Sequence, residues 1–184
     1  MLSQPQALNR ADIARRIPHK GRMCLLDTVT AWDSEQIHCQ TFSHLAPDHP
    51  LRAYGRLGAA CGVEYAAQAM AVHGALVAEN LFPDATDTDS AFSRVGYLAS
   101  LRSLTLYVDR LDTVAGPLTI SAQRISADAS TVLYSFTVQA GGPGGAKTLL
   151  AGRAAVVLDA AGILCNPENS KQTRMSGPAR IIRE

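Results

Sequence analysis

Along the chain the spacing of apolar residues runs from a short helical repeat, through strand-like stretches, into one long apolar helix, and back to strands. Residues 11–17, ADIARRI, predict a short helix with Asn9 or Asp12 as its cap. Pro18 stops it, because proline disfavours helix in the residue before it. Cys24–Trp32 and Gln36–Phe42 read as two strands joined through Asp33-Ser34-Glu35. Residues 44–57, rich in proline, glycine and histidine, read as an ordered loop. Gly58–Val77, GAACGVEYAAQAMAVHGALV, is alanine-rich and free of proline, and predicts the main helix. It is apolar almost all round, so it has no face for water and belongs in the interior. A polar, acidic loop follows over 79–94. Four more strands are predicted at Tyr97–Val108, Pro117–Ile125, Thr131–Gln139 and Thr148–Leu158, with a Gly141–Gly145 turn between the last two. The apolar pattern ends near Asp159, which gives a single domain over 1–160 and a loose basic tail over 161–184.

Strands this close in sequence pair antiparallel, and a helix this apolar must be covered on most sides. The compact solution is α+β: a curved antiparallel sheet wrapped around one long central helix, the hot-dog arrangement. Composition removes several other classes. Apolar residues at 47% against 18% charged suit a globular core and not a disordered chain. A net charge of +1 leaves no broad basic surface, so nucleic acid is not an expected partner. No apolar run reaches the roughly 18 residues of a membrane span, and the N-terminal segment has no apolar core of a secretory signal. Cys24, Cys39, Cys61 and Cys165 are scattered without a C-x-x-C pair, so neither a disulfide framework nor a metal site is expected, and the cytoplasm is the default compartment.

Glu64 is the most informative polar residue. A carboxylate on a buried helix must be exposed, paired or protonated. Gln68, four positions on, shares its face, so the two together would line a polar pocket. The plainer alternative is a structural ion pair with Arg56 or another cation. Among the histidines, His49 lies in the loop that feeds this helix, and His19 follows Pro18. A histidine folded over a carboxylate makes an acid–base pair. Cys61 shares the Glu64 face, as a nucleophile or as a small core residue.

The segment ADIARRIPHKGRMCLLDTVTAWD resembles the N-terminal element of the FabZ-type 3-hydroxyacyl-ACP dehydratases, through Pro18, His19, Leu25, Leu26 and Asp27. The segment HPLRAYGRLGAACGVEYAAQAM resembles their active-site loop and central helix, with His49-Pro50, Glu64, Ala67 and Gln68 in the matching places. PHKGRM, GVEYAAQAMAVHG and YLASLRSLTLYVDRL are most similar to the ApeP-like branch of aryl-polyene synthesis. The resemblance implies loss of water from a 3-hydroxyacyl thioester to give a trans-2-enoyl thioester. Glu64 would be the acid and His49 or His19 the base. Backbone N–H groups at Gly58 and Ala59 would hold the thioester oxygen, and Tyr65 and Gln68 would border the substrate. No metal or organic cofactor is implied. The implied partners are an acyl carrier protein and a second copy of the chain, in a homodimer or a multiple of one. From the residues alone, a hot-dog thioesterase and a non-catalytic acyl-binding subunit stay open as alternatives.

Overall fold

In the computed structural model, which describes residues 7–81, 96–141 and 145–158, the first helix is fixed by its cap. After a two-residue strand, β1 (Leu8–Asn9), the side chain of Asn9 accepts from the amides of Ala11 and Asp12, while Asp12 accepts from the amide of Asn9. This reciprocal box starts α1 (Arg10–Arg16) one residue before the predicted start. The next strands are β2 (Thr28–Trp32) and β3 (Gln36–Thr41), with Asp33 accepting the turn amides of Glu35 and Gln36.

The predicted strand from Cys24 begins only at Thr28, and the reason is local. The carbonyl of Cys24 accepts from Arg10, the amide of Leu25 donates to Gln68, and the carbonyl of Leu25 accepts from Thr41 and Ser43. Side chains have taken the backbone groups that a sheet ladder would have used.

The central helix, α2 (Gly62–Leu81), follows a 3-10 turn at Ala59–Cys61 and so starts four residues later than the predicted Gly58. Gly58 instead bridges to Arg110, and the amide of Ala59 donates to the carbonyl of Asp109 at 3.0 Å. That strand-like pairing holds the chain extended until the helix can turn. Tyr65, Ala66, Gln68, Ala69, Met70, Val72, His73 and Leu76 are buried, as an almost wholly apolar helix requires.

Around α2 curves a seven-stranded antiparallel sheet in the order β1-β2-β3-β5-β6-β7-β4, where β4 is Gly96–Leu106, β5 Leu118–Ala127, β6 Thr131–Ala140 and β7 Lys147–Leu158. Helix α2 packs on β3, β5 and β6. Phe136, Val138, Ile120, Leu118 and Ile37 from those strands complete the core. Buried His73 ties helix to sheet: its Nε2 donates to the carbonyl of Asp33 and its Nδ1 accepts from the Tyr134 hydroxyl, both at 2.9 Å. This is the hot-dog arrangement that the sequence predicts.

Strand β4 differs from the others. It lies at the sheet's end beyond β7 and is exposed along nearly its whole length. Most of the acidic loop over 79–94, the middle of the glycine-rich turn, and the tail over 161–184 with Cys165 lie outside the described residues. Cys24, Cys39 and Cys61 are free thiols. Among the described residues no helix is long and apolar enough to cross a membrane.

Candidate active site

The segment between α1 and β2 is folded down onto α2 by side chains at both of its ends. Arg10 reaches from α1 to the carbonyls of Gly21 and Cys24 and to Asp27. Lys20 turns back to the end of α1, to the carbonyls of Ala14 and of the cap residue Ile17, where the helix dipole favours a cation. His19 sits between these anchors and reaches the helix: its Nε2 lies 3.1 Å from Glu64 Oε1. Both side chains are about a third exposed, at 29% and 32%, so the pair is open on one side.

Gln68 holds the Glu64 carboxyl in place. Its amide nitrogen donates to Glu64 Oε1 at 3.0 Å and to the carbonyl of Met23 at 2.8 Å, while its oxygen accepts from the amide of Leu25 at 2.8 Å. The one-turn spacing that puts Glu64 and Gln68 on a single face is realised. The backbone of Met23 and Leu25, which no residue pattern marks as functional, supplies the supports. Arg56 is exposed in a tight turn against Ala53, away from the structural pairing considered for Glu64.

His49 is elsewhere. It is buried, and both ring nitrogens are occupied. The amide of Leu51 donates to Nδ1 at 3.1 Å, so Nδ1 carries a lone pair and the proton of the neutral ring is on Nε2. Nε2 then donates to the Tyr65 hydroxyl at 2.9 Å, Tyr65 to Ser43 Oγ at 3.0 Å, and Ser43 to the carbonyl of Leu25 at 2.7 Å. The chain of donors runs one way and leaves neutral His49 no free lone pair. Burial, aided by the nearby charge of Arg52, lowers its pKa below the ordinary 6.5. Tyr65 is fully buried in this network, with its hydroxyl pushed up to about 12 by burial.

Gly58 and Ala59 line a separate cleft of about 400 Å³ with Ala60 and Leu106–Asp109. The Ala59 amide is already engaged by Asp109, so it is not a free helix-end donor. Cys61 is half-buried, its thiol 3.8 Å from the carbonyl of Leu51 and raised in pKa by burial, which disfavours the thiolate a nucleophile needs. Among the described residues no three His, Cys, Asp or Glu side chains gather as metal ligands would. Of the residues expected at the site, the fold brings together His19, Glu64 and Gln68, and it sets His49 and Tyr65 apart as a second, closed network.

Comparison with known proteins gives the geometry its context. The ApeP-like family, described as ApeP dehydratase, matches residues 11–160. No curated protein matches the chain. Among solved structures, the dehydratase heterocomplex ApeI:P from Xenorhabdus doucetiae is similar with a TM-score of 0.63 and 22% identity, covering 80% of this chain and 90% of that one. A thioesterase from Haemophilus influenzae is similar with a TM-score of 0.53 and 11% identity over 86% and 95% of the two chains. A thioesterase family protein from Silicibacter pomeroyi follows with a TM-score of 0.50 and 8% identity over 71% and 82%. At these identities the likenesses establish the fold.

The first of these structures corrects one expectation from the sequence. An acyl carrier protein and a second copy of the same chain were the expected partners, whereas that relative is a dehydratase heterocomplex, ApeI:P. An open sheet edge asks for a neighbouring strand but does not say that the strand must be its own copy. The family match spans the central helix, the sheet and the His19–Glu64 pair, and on it the chain belongs to the ApeP-like dehydratase family.

Proposed function

We propose that this dehydratase removes water from a 3-hydroxyacyl thioester through His19 and Glu64, in aryl-polyene or fatty-acid-like synthesis, and that it works beside a second, different dehydratase subunit. The observation that carries the residue assignment is the 3.1 Å contact between His19 Nε2 and Glu64 Oε1 on the open side of α2. His49, the other candidate base, has both nitrogens engaged.

The chemistry needs one proton taken from C2 and one given to the C3 hydroxyl, which leaves as water. With one proton on the pair, His19 accepts from C2 and Glu64 donates to the hydroxyl. The products are the 2-enoyl thioester and water, and the pair is left as imidazolium and carboxylate. To reset the site the proton must return from His19 to Glu64, and the 3.1 Å separation of Nε2 and Oε1 keeps the two groups adjacent for that return. Gln68 keeps Glu64 Oε1 in register for both steps.

A reducing, cytoplasmic setting accords with the three free cysteines of the described chain. The partner assignment is supported by the heterocomplex of the similar structure and by the outer edge of β4, which is unpaired among the described residues. The test is turnover of a 3-hydroxyacyl thioester by the wild type, His19→Ala and Glu64→Gln, with mass spectrometry of the products. Enoyl thioester from the wild type and a loss of about 10²–10⁴-fold in each variant is the expected result. Free acid as the product would point to hydrolysis instead, and retained turnover in both variants would overturn the pair.

A further inference from the structure

Strand β4, GYLASLRSLTL, pairs with β7 along one side and, among the described residues, with nothing along the other. Tyr97, Leu98, Leu101, Leu104 and Leu106 on it are all exposed, so apolar side chains flank an open row of backbone donors and acceptors. An edge of this kind is a template for pairing with its own copy unless something prevents it.

Arg102 is the only charged residue of the strand. The register sets it directly opposite Arg153 of β7, whose other cross-strand neighbour is Ser135. Like charges facing each other across a ladder destabilise it. Among the described residues no carboxylate lies within salt-bridge distance of either arginine. Antiparallel pairing of β4 with a second copy about the middle of the strand would bring the two Arg102 side chains opposite or diagonal to one another. That is a separation of roughly 5–8 Å, with Arg153 of each copy alongside. Four guanidinium groups would share one strip of sheet.

We infer that Arg102 keeps β4 from pairing with its own copy and reserves this edge for a partner subunit whose edge strand sets a carboxylate opposite Arg102. Such a carboxylate would meet Arg102 and Arg153 together, turning a repulsive pair into two attractive contacts. The apolar flanks supply the burial, and the arginines supply the choice of partner. The inference rests on the proposal that the partner is a second dehydratase subunit, and the experiment separates the two.

Arg102→Thr and Arg102→Glu are compared with the wild type by native mass spectrometry and light scattering, with amide exchange followed over Gly96–Leu106. The substituted side chain is exposed, and circular dichroism verifies the fold. The wild type should run at 19.5 kDa with an unprotected outer edge. Arg102→Thr should run at twice that mass with slowed exchange in β4, and an equimolar mixture of wild type and Arg102→Glu should pair in the same way, because the introduced carboxylate of one copy faces Arg102 of the other. A wild type that is already paired through β4, or an Arg102→Thr protein and a mixture that both stay monomeric with wild-type exchange, would overturn the inference.

The partner reading is tested separately by purifying tagged wild type and tagged Arg102→Glu from the protein's own cells. A second hot-dog subunit retained by the wild type and lost by the variant supports both readings. Equal retention by the two leaves the partner standing and sinks the role of Arg102. Wild type recovered alone, with Arg102→Thr paired to itself, sinks the partner and leaves Arg102 as the barrier to self-pairing.

Discussion

Gln68 lies one helical turn beyond Glu64 and donates to its Oε1 at 3.0 Å, so the candidate acid is held by a neighbour that is itself anchored twice to the backbone of Met23 and Leu25. The amide therefore links the site to the fold: the same side chain that orients Glu64 also fixes the segment carrying His19 onto α2.

Gln68→Leu should show both roles at once. It strands the amide of Leu25 in the interior, which costs about 1–3 kcal/mol of stability. It also frees Glu64 to leave its position, so kcat should fall more than KM rises. Denaturant unfolding and steady-state kinetics on one preparation measure both. A variant with wild-type kcat would remove Gln68 from the site and leave it a purely structural tie.

The two histidines should separate in kind. His19→Ala should lose about 10²–10⁴-fold in kcat with little change in melting temperature, since its side chain is partly exposed. His49→Ala should do the reverse. It empties a buried position against Tyr65 and frees the amide of Leu51, so stability drops while the folded enzyme turns over within a few-fold of wild type. Loss of turnover in His49→Ala without loss of stability would return the base to the loop.

Much of this was legible in the sequence, and the misses have physical causes. The all-round apolar stretch after Gly58 announces a buried helix, and the spacing of Glu64 and Gln68 puts them on one face. The choice between His19 and His49 was not legible, because it turns on which ring nitrogen is left over once Leu51 and Tyr65 have made their bonds. The missing strand at Cys24–Asp27 has the same origin: Arg10 and Gln68 are distant in sequence and capture its backbone. The sequence marks a strand over Tyr97–Val108 but does not say which strands the helix covers: α2 packs on β3, β5 and β6, and β4 is left exposed.

Stability should fall on mild acidification. His44, His49 and His73 are each lowered below 6.5, in every case chiefly by burial. A lowered histidine favours the neutral form in the fold, so the unfolded chain binds more protons below 6.5. The contribution is therefore fully present above that value and is lost as the pH drops through the lowered values. Each extra proton taken up by the unfolded chain tilts stability by about 1.4 kcal/mol per pH unit. His44 adds a structural reason: its Nε2 donates to the carbonyl of Val114 and its buried Nδ1 has no partner to accept a new N–H. Urea midpoints should be nearly level from about pH 8 to 7 and fall toward pH 5, and His73→Gln should flatten part of that slope. Midpoints that do not move with pH would mean that these rings protonate as easily in the fold as outside it.

Two glycines of the same helix should respond to alanine with opposite signs. Both gain helix propensity, up to about 1 kcal/mol. Gly74 is exposed and has nothing within 4 Å of where a Cβ would stand, so Gly74→Ala should keep that gain and raise the melting temperature. Gly62 is buried where the start of α2 meets the side chain of Leu150 from β7, and a Cβ there collides with it. Its φ of −61° is ordinary helix, so space and not backbone conformation demands glycine. Leu150 is fully buried and has nowhere to withdraw, so the added methyl forces α2 off the sheet or Leu150 out of its rotamer. Overpacking of that kind costs about 1–3 kcal/mol, which exceeds the propensity gain. Gly62→Ala should therefore lower the melting temperature. It should also reduce turnover, because Glu64 is carried on the turn that moves. Thermal unfolding of the two variants beside the wild type decides the matter, and a Gly62→Ala protein as stable as Gly74→Ala would show that the helix does not approach β7 as closely as described.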